Sequence, residues 1–229
     1  MTDHCYKKEK MMNRIELKAI SKKIGEAYVL KDISYSFESG RVYVLRGENG
    51  SGKTMLLRLI SGLMYEDDGS LFYNDTKRLH NGKMMFSQGL LLENTSLYSG
   101  MTLYDNLHLL ASINKKIGKK EIEEAIESVG LSDVRNKKIS RFSLGMKKRA
   151  MIAQSIMEKP DVLLLDEPCN GLDEKNRHVF YDLIRAEKER GAIVILSSHL
   201  KEDLEEIADE IIYLECGVMI KGKHEKTDL

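Results

Sequence analysis

The chain has 229 residues and a mass of 26.2 kDa, and its 36 Lys and Arg cancel its 36 Asp and Glu. A net charge of zero argues against a nucleic-acid binder working through bulk electrostatics, and 42% hydrophobic against 31% charged residues is too apolar for disorder. Three scattered cysteines, Cys5, Cys169 and Cys216, make neither a disulfide framework nor a metal-ligand pair, and point to a reducing interior.

The first ten residues are polar and lysine-rich with no apolar stretch behind them, which reads as a dispensable extension rather than a secretory signal. Alternating apolar patterns predict strands over 14–20, 29–37 and 41–46. The third runs into a glycine-rich turn at 47–52, followed by a helical pattern from Lys53 to about Ser61. From Thr102 to Gly130 the period is helical, with one stripe of Leu103, Leu107, Leu110 and Ala111 and another of Ile122, Ala125, Ile126 and Val129. Gly130 is the expected C-terminal stop. A further helix is predicted from near Ser143 towards Met157. Strands over 162–166, 192–197 and 210–214 then alternate with helices over 174–190 and 201–208. That alternation indicates an α/β fold with a parallel sheet covered on both faces, and the helical middle reads as an insertion into it. The most apolar runs, 162–165 and 192–196, fall far short of the roughly 20 residues of a spanning helix.

Gly47-Glu48-Asn49-Gly50-Ser51-Gly52-Lys53-Thr54 is a phosphate-binding P-loop in the required context, a strand before it and a helix after it. Glycines let successive backbone N–H groups turn inward as an anion nest, and the helix start at Lys53 adds its positive dipole end. In that frame Lys53 would neutralise the β- and γ-phosphates of a bound nucleotide, and the Thr54 hydroxyl would be a Mg²⁺ ligand. Val162-Leu163-Leu164-Leu165-Asp166-Glu167 reads as a buried parallel strand ending in two carboxylates, at the strand end where open α/β sheets bind ligands. Asp166 is placed to hold Mg²⁺, and Glu167 to orient and deprotonate an attacking water.

With these motifs in place, the chain resembles the nucleotide-binding subunit of an ABC transporter. Phe142-Ser143-Leu144-Gly145-Met146 is similar to the family's signature sequence, Gly171-Leu172-Asp173 to its D-loop, and Ser198-His199 to its switch histidine. The resemblance covers nearly the whole chain. It implies a P-loop NTPase core with a mainly parallel sheet, N-terminal antiparallel strands and an inserted helical subdomain. The single domain of residues 1–229 would then divide into an ATP-binding core, about 12–92 and 150–229, and a helical part, about 94–148. The resemblance also implies two subunits packed head to tail around two ATP molecules. Ser143 and the Gly145 N–H would reach the γ-phosphate across that dimer, and His199 would bond the γ-phosphate within its own subunit. Two departures stand out: Leu144 and Met146 replace the usual Gly and Gln, and the adenine-stacking aromatic falls on Ile24, so base stacking is either weak or supplied by Tyr28. Cys169 reads as packing filler.

The family's glutamine loop falls on Glu93 rather than Gln88. Glu93 lies 39 residues after Thr54 and 9 before Thr102, whereas Gln88 lies 34 after and 14 before. A glutamate there, together with Ser-Leu-Gly-Met followed by basic residues, resembles the lantibiotic-immunity and bacitracin-export ATPases. Glu93 would join Thr54 and Asp166 at the metal. The implied activity is ATP hydrolysis driving a separate integral membrane permease, an exporter of a peptide antibiotic or similar amphiphile. The implied location is cytoplasmic, peripheral on the inner face of the membrane, with a homodimeric partner subunit and no nucleic acid. The alternative is a soluble ABC ATPase acting on ribosomes or DNA, although such proteins carry two nucleotide-binding halves or long coiled coil. A regulator that no longer hydrolyses ATP is disfavoured by the presence of both Asp166 and Glu167. The helical insertion would dock the permease beside Glu93, residues 90–92 form a short buried strand, and Lys147-Lys148-Arg149 reads as a solvated helix face.

Overall fold

A computed structural model describes residues 12–81, 83–93, 95–199 and 204–221. Two long antiparallel strands open the fold, β1 (Arg14–Ile24) and β2 (Ala27–Glu38). They join β4 (Asp68–Tyr73) and β5 (Thr76–Lys77) in a four-stranded sheet ordered β2-β1-β4-β5. Alternation along β2 is imperfect because the β1–β2 ladder shifts register between Leu17 and Lys23. Ala19 and Asp32 take positive φ there, at 50° and 49°, as bulged residues do.

The second sheet has six strands. β3 (Arg41–Arg46), β6 (Gln88–Leu91), β7 (Val162–Leu165), β8 (Ile193–Ser198) and β9 (Glu210–Glu215) are parallel, and β10 (Val218–Lys221) closes one edge as a hairpin with β9. The order is β10-β9-β3-β8-β7-β6. Its two faces feed two cores. Tyr43, Leu45, Leu164 and Ile195 face the first sheet and α1 (Lys53–Ile60), packing on Ile15, Leu30, Phe37 and Leu56. Val42, Val44, Leu163, Leu165, Val194 and Leu196 face the other helices. These strands are buried on both faces, and for that reason their sequences read as continuous apolar runs.

The opposite layer contains α2 (Leu103–Asn114), α3 (Lys119–Ser128), α4 (Leu144–Ile156) and α5 (Glu174–Arg190). Thr102, Ser143 and Asp173 cap α2, α4 and α5 by accepting backbone N–H bonds, and Gly130 follows α3 at φ 66°. α4 lies on β6 so closely that a Cβ at Gly89 would stand 1.8 Å from the Ser155 carbonyl. Only glycine fits there.

Two sequence readings need correction. The helix expected over 201–208 begins outside the described residues, and residues 204–207 form turns instead. Leu204 has φ 67°, which a right-handed helix forbids, and its buried side chain anchors the turn. The basic run at the start of α4 is also no solvated face. Lys147 is exposed, but Arg149 donates to the Val129 and Gly130 carbonyls at 2.9 and 3.0 Å, tying α4 to the end of α3. Lys148 is half-buried, and burial lowers its pKa against the pull of Asp166, Glu167 and Glu93. Strands β4, β5 and β10 lack counterparts in the sequence reading; β4 places only Leu71 in the core, too weak an alternation to announce a strand. Among the described residues no helix is long and apolar enough to cross a membrane.

Candidate active site

Four parallel strands, β3, β8, β7 and β6, end together, and their carboxyl edge carries the phosphate loop, Asp166, Glu167 and His199. Residues 47–54 leave β3 and curl into α1. Gly50 and Gly52 hold φ of 83° and 108°, and a Cβ on Gly47 would meet the Leu214 carbonyl at 2.2 Å, so the curl needs glycine for both conformation and space. Lys53 is 6% exposed, and its Nζ donates to the Gly47 and Glu48 carbonyls at 2.6 and 2.9 Å. The ammonium is thereby stretched along the loop rather than out to solvent. Gly217, in the β9–β10 turn, donates to the Ser51 carbonyl at 2.9 Å, and its own carbonyl accepts from Lys31 N–H at 2.8 Å.

The Thr54 hydroxyl donates to Asp166 Oδ2 at 2.8 Å. Asp166 is 1% exposed, and its N–H extends the β6–β7 ladder by donating to the Leu91 carbonyl at 2.7 Å. Its second oxygen, Oδ1, accepts from the Ser197 hydroxyl at 2.5 Å. Ser197 Oγ also accepts the Glu167 N–H at 2.9 Å. Glu167 Oε2 lies 2.9 Å from His199 Nδ1, with the two side chains 12% and 34% exposed. A carboxylate oxygen accepts, so a hydrogen bond in this pair would have His199 Nδ1 as its donor. Thr54, Asp166, Ser197, Glu167 and His199 thus form one chain of contacts from the first turn of α1 across the ends of β7 and β8.

Glu93 follows β6 by two residues and is exposed, in a turn. It shares a groove of about 500 Å³ with Leu91, Leu144, Lys148, Glu167 and Gly171. Gln88 begins β6, opposite Val162, while Leu91 lies opposite Leu165. At about 3.3 Å per residue that puts Gln88 some 10 Å from the carboxyl edge. Its Nε2 donates instead to the Ser61 carbonyl at 3.1 Å, at the end of α1. Leu91 and Leu92 are buried while Leu90 is half-buried.

Ser143 and Gly145 sit at the N-terminus of α4, on a different element from the P-loop. Ser143 Oγ accepts the Met146 N–H at 3.3 Å, and a Cβ on Gly145 would meet the Gly171 carbonyl at 2.9 Å. Leu144 between them is 73% exposed. Ile24 and Tyr28, at the β1–β2 hairpin, are 54% and 45% exposed, and the Lys23 ammonium stands 4.5 Å from the Tyr28 ring centre. Cys169 is buried.

Two residues here escaped the sequence reading. Asn106, 1% exposed, holds the segment after Glu93 by bonding both N–H and carbonyl of Tyr98 and the Thr102 carbonyl. An asparagine on the apolar face of a helical pattern is the available signal. From the sequence Ser197 reads only as the end of a strand; a hydroxyl closing an otherwise apolar run is its signal.

Residues 30–170 match the ABC transporter family. The chain is 43% identical over 203 residues to the uncharacterised ABC transporter ATP-binding protein YybJ of Bacillus subtilis (strain 168), covering 89% of this chain and 93% of that one. It is 36% identical over 210 residues to the bacitracin transport ATP-binding protein BcrA of Enterococcus faecalis, covering 91% and 67%. Among solved structures, the dimeric bacterial ABC transporter cassette MJ0796 superposes with a TM-score of 0.80 at 25% identity, covering 90% of this chain and 98% of that one. Fold, phosphate loop and family match agree, and this chain belongs to the ABC transporter family as an ATP-binding, ATP-hydrolysing subunit.

Proposed function

We propose that two copies of this chain enclose two ATP molecules and power a separate integral membrane permease that exports a peptide antibiotic or similar amphiphile. The contact chain from Thr54 through Asp166, Ser197 and Glu167 to His199 carries the reading, because it joins a phosphate cradle to a placed carboxylate and imidazole. Gly47 to Thr54 wrap the phosphates and Lys53 offsets their charge. Thr54 Oγ1 and Asp166 are hard oxygen donors already within 2.8 Å of one another, a set that fits Mg²⁺, with Glu93 as a further carboxylate. Among the described residues no cluster of three or more His, Cys, Asp or Glu forms a protein-only cage, and Mg²⁺ usually keeps most of its ligands as phosphate and water oxygens. When bound, the ion would neutralise charge between the β- and γ-phosphates. Glu167 takes a proton from the attacking water, and His199 holds the carboxylate and reaches the γ-phosphate. Ser143 and the Gly145 N–H, on α4, serve the partner's ATP.

The core of about 12–92 and 150–229 holds the nucleotide, and the helical part of about 94–148 presents the groove beside Glu93 to the permease. The protein then lies peripherally on the inner face of the membrane, and no nucleic acid enters the cycle. The likeness to BcrA supports the cargo class. Affinity purification of the full chain from detergent-extracted membranes is expected to recover an integral membrane protein; recovery of ribosomes or DNA would move the assignment to a soluble factor.

The positions of Gln88 and Glu93 support different roles for the two residues. Glu93→Ala should reduce export or resistance in cells more than it reduces ATP binding, because a carboxylate is removed from the groove next to Glu167. Gln88→Ala removes one bond to the end of α1, worth about 1 kcal/mol, and should be nearly silent. Matched expression levels with a resistance assay check this, and uncoupling by Gln88→Ala alone would reverse the assignment.

A further inference from the structure

Ser197 is 0% exposed and lies in the middle of the contact chain, with its two hydrogen bonds running to Asp166 and to the Glu167 N–H. Its position follows from register. On β8, Leu196 pairs with Leu165 of β7, so Ser197 stands one step further on, level with Asp166. Its hydrogen bonds have only one possible direction. An ionised Asp166 can only accept and a backbone N–H can only donate. The single Ser197 proton therefore goes to Asp166 Oδ1, and its lone pairs take the Glu167 N–H.

Glu167 has φ 47°, in the left-handed region that a long side chain without a local hydrogen bond rarely occupies. Such a conformation persists only where neighbours impose it. Three neighbours do so here: the Ser197 hydroxyl on its N–H, Asn170 N–H on its carbonyl at 3.3 Å, and His199 on its carboxylate. We infer that Ser197 is a positioning residue for hydrolysis, whose one hydroxyl orients the Asp166 carboxylate and fixes the Glu167 backbone so that the Glu167 side chain reaches His199. Both acids are then set by a group that cannot ionise and does not leave with product. An apolar residue of the same size would fill the space but leave Asp166 Oδ1 and the Glu167 N–H without this partner.

The inference rests on the reading of Glu167 as the base, and the test keeps the two apart. The full chain is compared with Ser197→Ala, Ser197→Thr and Glu167→Gln, measuring kcat, KM for ATP, equilibrium binding of a fluorescent ATP analogue, and the thermal midpoint. Loss of a group that orients ligands typically costs 10–100-fold, so Ser197→Ala should lower kcat by about that factor. KM and analogue binding should stay near wild type, because the two Ser197 bonds run to Asp166 and the Glu167 N–H rather than to the phosphate loop, while the midpoint should fall by a few degrees, because those two buried groups lose a partner. Ser197→Thr keeps the hydroxyl and should recover most of the rate. Added to Glu167→Gln, Ser197→Ala should lower the residual rate by less than it lowers the wild-type rate, since only its effect through Asp166 remains. A kcat for Ser197→Ala within about two-fold of wild type overturns the inference, as does a loss that Ser197→Thr does not recover although its midpoint is unchanged. If Glu167→Gln is silent, the base assignment falls first; if it abolishes turnover while Ser197→Ala is silent, Ser197 alone is refuted.

Discussion

Glu167→Gln should still bind MgATP but turn it over about 10²–10⁴-fold more slowly, the usual cost of removing a general base. The substitution is close to isosteric, and the amide retains a donor and an acceptor for His199 Nδ1, 2.9 Å from the carboxylate it replaces. The main-chain bond from Glu167 N–H to Ser197 is untouched. Loss of rate is therefore assignable to loss of the base rather than to rearrangement of the strand ends. Unhydrolysed nucleotide should hold two chains together, and size-exclusion chromatography with ATP should show a dimer where the wild type shows a transient one. Near-wild-type ATPase activity would remove Glu167 from the mechanism.

Ser143→Arg has the next largest expected effect. If Ser143 and the Gly145 N–H complete the partner's site, a long cation there blocks closure and removes a donor aimed at the γ-phosphate. Deleting one such donor typically costs about 10²–10³ in kcat, and steric blockade adds to it. The fold should survive. Ser143 caps α4 through one 3.3 Å bond, and losing an N-cap costs about 1 kcal/mol against the 5–15 kcal/mol by which domains are usually stable. ATP binding to the variant's own P-loop should persist, because the loop and α4 are separate elements. Mixing Ser143→Arg with a P-loop variant such as Lys53→Ala should restore one intact composite site per heterodimer. Normal hydrolysis by Ser143→Arg alone would mean that each chain works without a partner's signature.

Residues whose role depends on a local pattern were legible in the sequence. The strand–loop–helix order around Lys53, the buried strand ending at Asp166, and the starts of α4 and α5 all follow from spacing and composition, and the structure has them in place. What escaped depends on contacts between distant segments. Ser197 matters because β8 lies beside β7, a pairing between residues about 30 apart in sequence that no local pattern encodes. Lys148 looked like part of an exposed basic run because charge alone was read; its half-burial comes from the packing of α4 against the β6 end and the turn after Glu167. The turn at 204–207 escaped because its residues are apolar at helical intervals, while Leu204 adopts a conformation that no periodicity reveals. Strand β10 was missed for want of length, although Cys216-Gly217 between two apolar alternations is a hairpin signal.

The hairpin turn at Gly217 has a consequence for how nucleotide is received. Its N–H secures the carbonyl of Ser51 inside the phosphate loop, and its carbonyl secures Lys31 on the first sheet. The loop is therefore fastened to both sheets at once, and its glycines, the residues with most freedom to lose, are already ordered in the folded chain. A ligand that must organise its own site spends part of its interaction energy on that ordering. Here the ordering belongs to folding, so the loop can grip and release phosphate at every cycle as a fixed mould, and the motion that hydrolysis requires is left to the elements around it.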